Sequence, residues 1–185
     1  MKSRDFRPTA TGWRRLAAFG VDYLVIAAYI GVLTGVGIVV QRALGLGFEP
    51  PRTLRGRLLG EAVGMLTLTL PVAGYFALTE ASPWQATIGK RALGLRVATA
   101  AGQRLPLGRA VLRSLLKFAP WELAHASLWH TPGWPTQPQP GPITYAGSAL
   151  ALLLAGWYVL SIFVGARRTP YDRAADTRVL VAAST

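Results

Sequence analysis

Cysteine is absent from this 185-residue chain, so disulfides, thiolate metal sites and a cysteine nucleophile are excluded. Acids are scarce: 8 Asp and Glu stand against 20 Lys and Arg, for a formal charge of +12. The 2 histidines are His125 and His130, and no G-x-S-x-G elbow occurs. Neither histidine has an evident nucleophile partner, so the chain is not expected to be an enzyme. Glu122 and His125, three apart, could hold a metal if other helices added ligands. The remaining apolar segments offer few acids, so no metal site and no cofactor are expected. The pair reads instead as a polar face at a membrane interface, beside Trp121 and Trp129. Gly89-Lys90 has the look of a phosphate-loop ending, but Trp84 stands where the leading glycine belongs. Arg91 also replaces the Ser or Thr that should follow, so nucleotide binding is not expected.

What the chain has in quantity is hydrocarbon. Hydrophobic residues make up 51% and mean hydropathy is +0.33. In a soluble protein the basic excess would suggest nucleic acid. Here the basic residues flank long apolar runs, so they read as topology signals and as contacts for anionic lipid headgroups. Nucleic acid is not an expected partner. Residues 1–13 form a basic tail, followed by a membrane domain over 14–182. Leu16–Val40 is apolar except for Asp22; it is too long for the h-region of a cleaved signal and is expected to be a retained first span. Its length, about 37 Å at the helical rise, exceeds a roughly 30 Å hydrocarbon core. Gly31 and Gly35 give a GxxxG spacing on it.

A second span is expected over 58–78, with Gly60 and Gly64 on one side and Pro71 as a kink. Residues 81–117 carry seven basic residues and no acid. Within them Leu93–Thr99 and Gln103–Leu107 flank Ala101-Gly102, which suggests a small surface hairpin; Thr177–Ala182 could add a third strand. Residues 107–129 are apolar and aromatic but carry Arg109, Arg113 and Lys117 at spacing four. They could snorkel from a true span or mark an interfacial helix. A proline-rich loop over 130–147 leads to a last span over 145–166, with Gly147, Ala151 and Ala155 on one face.

Charge counting decides for 107–129. If that segment crosses, the N-terminal tail, the middle basic segment and the C-terminal tail share one side. That side then holds 16 of the 20 Lys and Arg. The positive-inside rule therefore favours four spans with both termini in the cytoplasm. The expected fold class is an all-α membrane protein with four transmembrane helices and a small cytoplasmic β-hairpin or surface element.

Asp22 is the most expensive residue in this layout, costing about 2.5–3.5 kcal/mol near a helix centre on insertion scales. Arg15 lies two turns before it on the same helix face. Arg15 and Asp22, then Thr87-Ile88-Gly89-Lys90-Arg91-Ala92-Leu93-Gly94-Leu95-Arg96-Val97, then Asp172 to Thr177 and Val179, form a pattern that resembles the RDD family. That family is named for one arginine and two aspartates, which match Arg15, Asp22 and Asp172; Asp176 is a rival, but Asp172 keeps the usual spacing to Thr177. Glu80 and Arg113 fall where such proteins often carry an acid and a base, and Lys90 lies within the matched run. The approach to the last aspartate departs from the family's usual Gly-Leu-His-Asp-like form and reads Thr169-Pro170-Tyr171-Asp172.

The resemblance implies a multi-spanning membrane protein of the plasma (inner) membrane. Two readings follow. In one, Asp22 couples ion or small-solute transport, Arg15 sets its pKa and Asp172 closes the cytoplasmic mouth. In the other, the triad is an internal lock in a non-catalytic accessory or scaffold subunit. The partners are then anionic lipid together with a second copy or a membrane-complex subunit. No inverted repeat of the kind many transporters carry is evident.

Overall fold

Helix α1, Gly12–Ala43, buries only Gly12, Arg15, Ala18 and Asp22. Those positions recur every three or four residues and mark one narrow stripe. The rest of the helix is exposed hydrocarbon, with Leu24, Val32 and Val39 each about two-thirds exposed. A water-soluble monomer does not present apolar surface on this scale. In this computed structural model the described residues are 8–46 and 53–182. The first part of the basic tail and Pro50-Pro51 of the first loop lie outside them.

Thr53 caps α2, Leu54–Gly64, its hydroxyl accepting from the Gly56 N–H at 3.1 Å. A π-helical stretch, Met65–Thr69, joins α2 to α3, Leu70–Ala81, making one apolar helix of 28 residues. Pro71 lacks the N–H that would bond the Thr67 carbonyl. That carbonyl instead accepts the Tyr29 hydroxyl. Short α4, Ile88–Ala92, precedes strand β1, Leu95–Thr99. Helix α5 covers Leu107–Trp129. Pro120 inside it frees the Leu116 carbonyl in the same way, and the Tyr158 hydroxyl fills that place at 3.0 Å. Helix α6, Pro142–Ser161, short α7, Pro170–Ala174, and strand β2, Thr177–Val181, complete the order. Three of these helices are long and apolar enough to cross a membrane: Gly12–Ala43, Leu54–Ala81 and Pro142–Ser161. Helix α5 is more polar, carrying Arg109, Arg113, Lys117 and Glu122.

The sheet has two strands and differs from the expected hairpin. Strand β1 pairs antiparallel with β2, Val97 opposite Val179. Residues after the turn contribute only the bridge Ala98↔Arg104 and a bond from the Thr99 N–H to the Gln103 carbonyl at 3.0 Å. Pro106 has no N–H to extend that ladder, and α5 begins at Leu107. Residues 8–10, in the tail by sequence, lie against β2. Thr9 bridges Leu180, and the Val181 N–H donates to the Pro8 carbonyl at 3.1 Å.

The chain divides into two units. One comprises 1–24, 73–117 and 156–185 and holds the sheet, α4 and α7. Its core is small, with Leu95, Val97, Leu105 and Val179 packed among Ala10, Ala18, Ala77 and Ala110. The other comprises 25–72 and 118–155. Within it Gly60 faces the Trp129 ring so closely that an added Cβ would meet the ring at 2.6 Å, and Gly147 lies against Ser127. Among the described residues an added Cβ at Gly31 or Gly35 would meet nothing within 4 Å, so their GxxxG spacing makes no close helix contact there.

Candidate functional site

The buried stripe of α1 delivers Arg15 and Asp22 into the first unit, and α3, α4, α5 and α7 bring residues to meet them. Asp22 is fully buried. Its Oδ1 accepts the Tyr75 hydroxyl and the Gly89 N–H, each at 2.8 Å, and its Oδ2 accepts the Thr87 hydroxyl at 2.6 Å. The Lys90 Nζ stands 4.0 Å from Oδ2. Tyr75 in turn accepts the Ile88 N–H at 3.0 Å. Thr87 does double duty, since its hydroxyl also accepts the Lys90 N–H and so starts α4.

Glu80, also fully buried, faces three basic side chains. Lys90 lies at 3.0 Å and Lys117 at 3.4 Å from Oε1, and Arg113 bonds Oε2. The Phe76 ring supports both lysines, with Lys117 Nζ 3.7 Å and Lys90 Nζ 5.2 Å from its centroid.

Asp172 completes the cluster from α7. Arg113 donates to Oδ1 through Nε at 3.0 Å and Nη2 at 2.9 Å, and Arg15 donates to Oδ2 at 2.6 Å. Thr169 and Asp172 form a capping box that holds the acid at the start of α7. Thr177 adds a hydroxyl at 3.3 Å from Oδ1. Burial alone would push the Asp172 carboxyl up; the Arg113 and Arg15 guanidiniums overcome that and hold it well below the usual carboxylate range. Burial, with the Asp172 charge beside it, pushes the neighbouring Tyr171 phenol up.

All six residues singled out from sequence therefore meet here: Arg15, Asp22, Asp172, Glu80, Lys90 and Arg113. The pairing differs from the one expected. Arg15 turns to Asp172 and to the Arg167 carbonyl, while Asp22 is held by neutral donors and Lys90. An arginine has five donors and suits a carboxylate edge; Asp172 offers one with the correct approach. Sequence reasoning named Thr87, Gly89, Lys117 and Thr169 only within motifs, without a place in this cluster, and did not name Tyr75. Two of these had a local signal, since Thr87 and Thr169 each precede a short helix and bond the N–H three residues on.

Chemically, the cluster fixes charge. Each of the six carboxylate oxygens has a donor from the same chain, which is the condition for a buried ion pair not to cost more than it returns. Among the described residues no group of three His, Asp or Glu is placed to hold a metal. In the second unit Glu122 accepts from Thr69, with His125 at 3.7 Å, and His130 lies 3.1 Å from Glu61.

The sequence pattern that defines the RDD family matches residues 9–176. No curated protein and no solved structure matches the chain.

Proposed function

The chain belongs to the RDD family, and from that premise we propose a four-span protein of the plasma membrane with both termini cytoplasmic. It acts as a non-catalytic accessory or scaffold subunit that uses its charge cluster as an internal lock. The pairing of β1 with β2 supports the span count. The two strands share one side of the membrane, and the long helices between them in the chain are α5 and α6, α7 being a single short turn beside β2. If α6 crosses, α5 crosses too. Thr9 bridges Leu180 of the same sheet, which supports a start of α1 on that side, as two crossings by α1 and Leu54–Ala81 require. The basic residues collect at this end, where anionic headgroups are the expected contact.

The observation that carries the accessory reading is that Asp22 is closed: fully buried, with both oxygens filled by Tyr75, Thr87 and Gly89. An ion-coupling carboxylate needs access and a vacant position. The exposed apolar faces of α1 and α6 then serve lipid and partner helices, from a second copy or another subunit.

One observation favours transport instead. Asp22 is the only acid of the three without an arginine, its cation being Lys90 at 4.0 Å. A transported cation could displace that ammonium.

The test is purified protein in vesicles enclosing a pH dye, with Na⁺ or K⁺ gradients. The accessory reading expects no cation-driven proton flux and a stoichiometric assembly in mild detergent. Flux in the wild type that Asp22→Asn abolishes without unfolding, or a monodisperse lone chain, overturns it.

A further inference from the structure

Two stretches of this chain, Thr87–Val97 and Thr169–Val179, follow one plan. They share Thr87 and Thr169, Arg91 and Arg173, Ala92 and Ala174, Arg96 and Arg178, and Val97 and Val179. Each threonine caps a five-residue helix and accepts an N–H at 3.2 Å, from Lys90 in one and Asp172 in the other. Each helix is followed by a residue in the left-handed region, Gly94 at φ 59° and Asp176 at φ 49°. Each then runs into a five-residue strand.

The strands pair as a two-fold requires. Val97 faces its own counterpart Val179. Leu95 faces Val181, and their counterparts Thr177 and Thr99 face each other. That reciprocity is the mark of an isologous contact. It extends outward. Ala98 is bridged by Arg104, and its counterpart Leu180 is bridged by Thr9. The next residues, Leu105 and Ala10, are both buried in the same core. Counting on, Arg109 corresponds to Arg14, and each reaches the left-handed corner of its own half. Arg14 donates to the Leu93 carbonyl at 2.5 Å, and Arg109 stands 3.6 Å from Asp176. Two long helices precede the short one in both halves.

We propose that the chain is a fused pair of equivalent units, 8–99 and 104–181, in which each unit's strand, capped turn and buried helix start form the docking surface for the other. At two positions in the buried cluster the units carry opposite charge. Lys90 corresponds to Asp172, and Asp22 to Lys117. The two surfaces are thus complementary, and pairing of unlike units is favoured over pairing of like ones. The repeat runs in the same direction twice, so it is of the parallel kind.

The test is circular permutation of the full chain, with Thr185 continuing into Met1. The Pro8 carbonyl already accepts from Val181, so the described ends are adjacent. One permutant opens between Gly102 and Gln103, at the unit boundary. A control opens between Pro83 and Trp84, an exposed turn within 8–99. Both keep the order of crossings even. The boundary permutant is expected to insert, elute monodisperse and melt within about 5 °C of the parent, and the control to melt well below it. Equal retention of both, equal loss of both, or a better control overturns the proposal.

Discussion

Gly89 donates its N–H to Asp22 Oδ1 at 2.8 Å from a position where no side chain fits: an added Cβ would lie 2.9 Å from both the Asp22 Cγ and its backbone nitrogen, and closer still to the Ala18 carbonyl. Backbone neighbours cannot swing aside. Gly89→Ala is therefore expected to push α4 off α1 and destabilise the protein by about 1–3 kcal/mol. Thermal melting in detergent measures this. An unchanged midpoint would mean that α4 does not dock on Asp22.

Arg113 joins two acids, Glu80 and Asp172, and is 1% exposed. Removing it leaves both with weaker compensation. Arg113→Ala is expected to be among the most damaging single substitutions, at about 3–5 kcal/mol. Arg113→Lys should recover only part, since an ammonium cannot reach Asp172 Oδ1 with two donors while holding Glu80. Comparable stability of the Lys variant and the wild type would argue against the two-acid bridge.

The depressed Asp172 carboxyl sets a pH dependence. A group whose folded value lies below its unfolded value, about 3.9, contributes its full stabilisation above that value. The contribution is lost as pH falls through the folded value. Asp172→Asn is thus expected to lower the melting midpoint at pH 7, and its deficit relative to wild type to shrink below about pH 4. A deficit that stays constant down to pH 3 would show that folding does not depress the Asp172 carboxyl.

The two helix prolines suggest a coupling experiment. Tyr158 donates to the Leu116 carbonyl, which lacks its usual partner because of Pro120. Tyr158→Phe is expected to cost about 1–3 kcal/mol by leaving that carbonyl unpaired. In a Pro120→Ala background the restored N–H at position 120 competes for the same carbonyl, so Tyr158→Phe should cost less. Additive losses in the double-mutant cycle would rule out the substitution of one donor for the other.

The long helices were legible because their apolar runs are long, and residues 107–129 form one helix as expected. Charge pattern and family pattern together also picked out six residues that meet in the buried charge cluster. Their pairing was not legible. Asp22 is satisfied by Tyr75, Thr87 and the Gly89 N–H, which are neutral and distant in sequence, while local spacing pointed to Arg15. The sheet was only half legible: the Ala101-Gly102 turn advertised a hairpin, but Pro106 denies it a ladder and β2 takes its place. The duplication escaped because the shared residues are few and mostly within eleven positions, where Lys90 and Asp172 reverse charge.

The span count can be read out by labelling, because the chain has no cysteine of its own. Gln137 lies in the proline-rich loop between α5 and α6, and Gln103 in the turn after β1. If α5 crosses, these two positions are on opposite sides of the membrane. Gln137→Cys is then expected to react with an impermeant maleimide in intact cells or spheroplasts. Gln103→Cys should react only after permeabilisation. Were α5 an interfacial helix, Gln137→Cys would be protected in intact cells, and β2 would have to return to β1 across the membrane through α6 alone. With α6 crossing, the ladder from Leu95↔Val181 to Thr99↔Thr177 could not then form, so protection of Gln137→Cys would reject the proposed four-span layout.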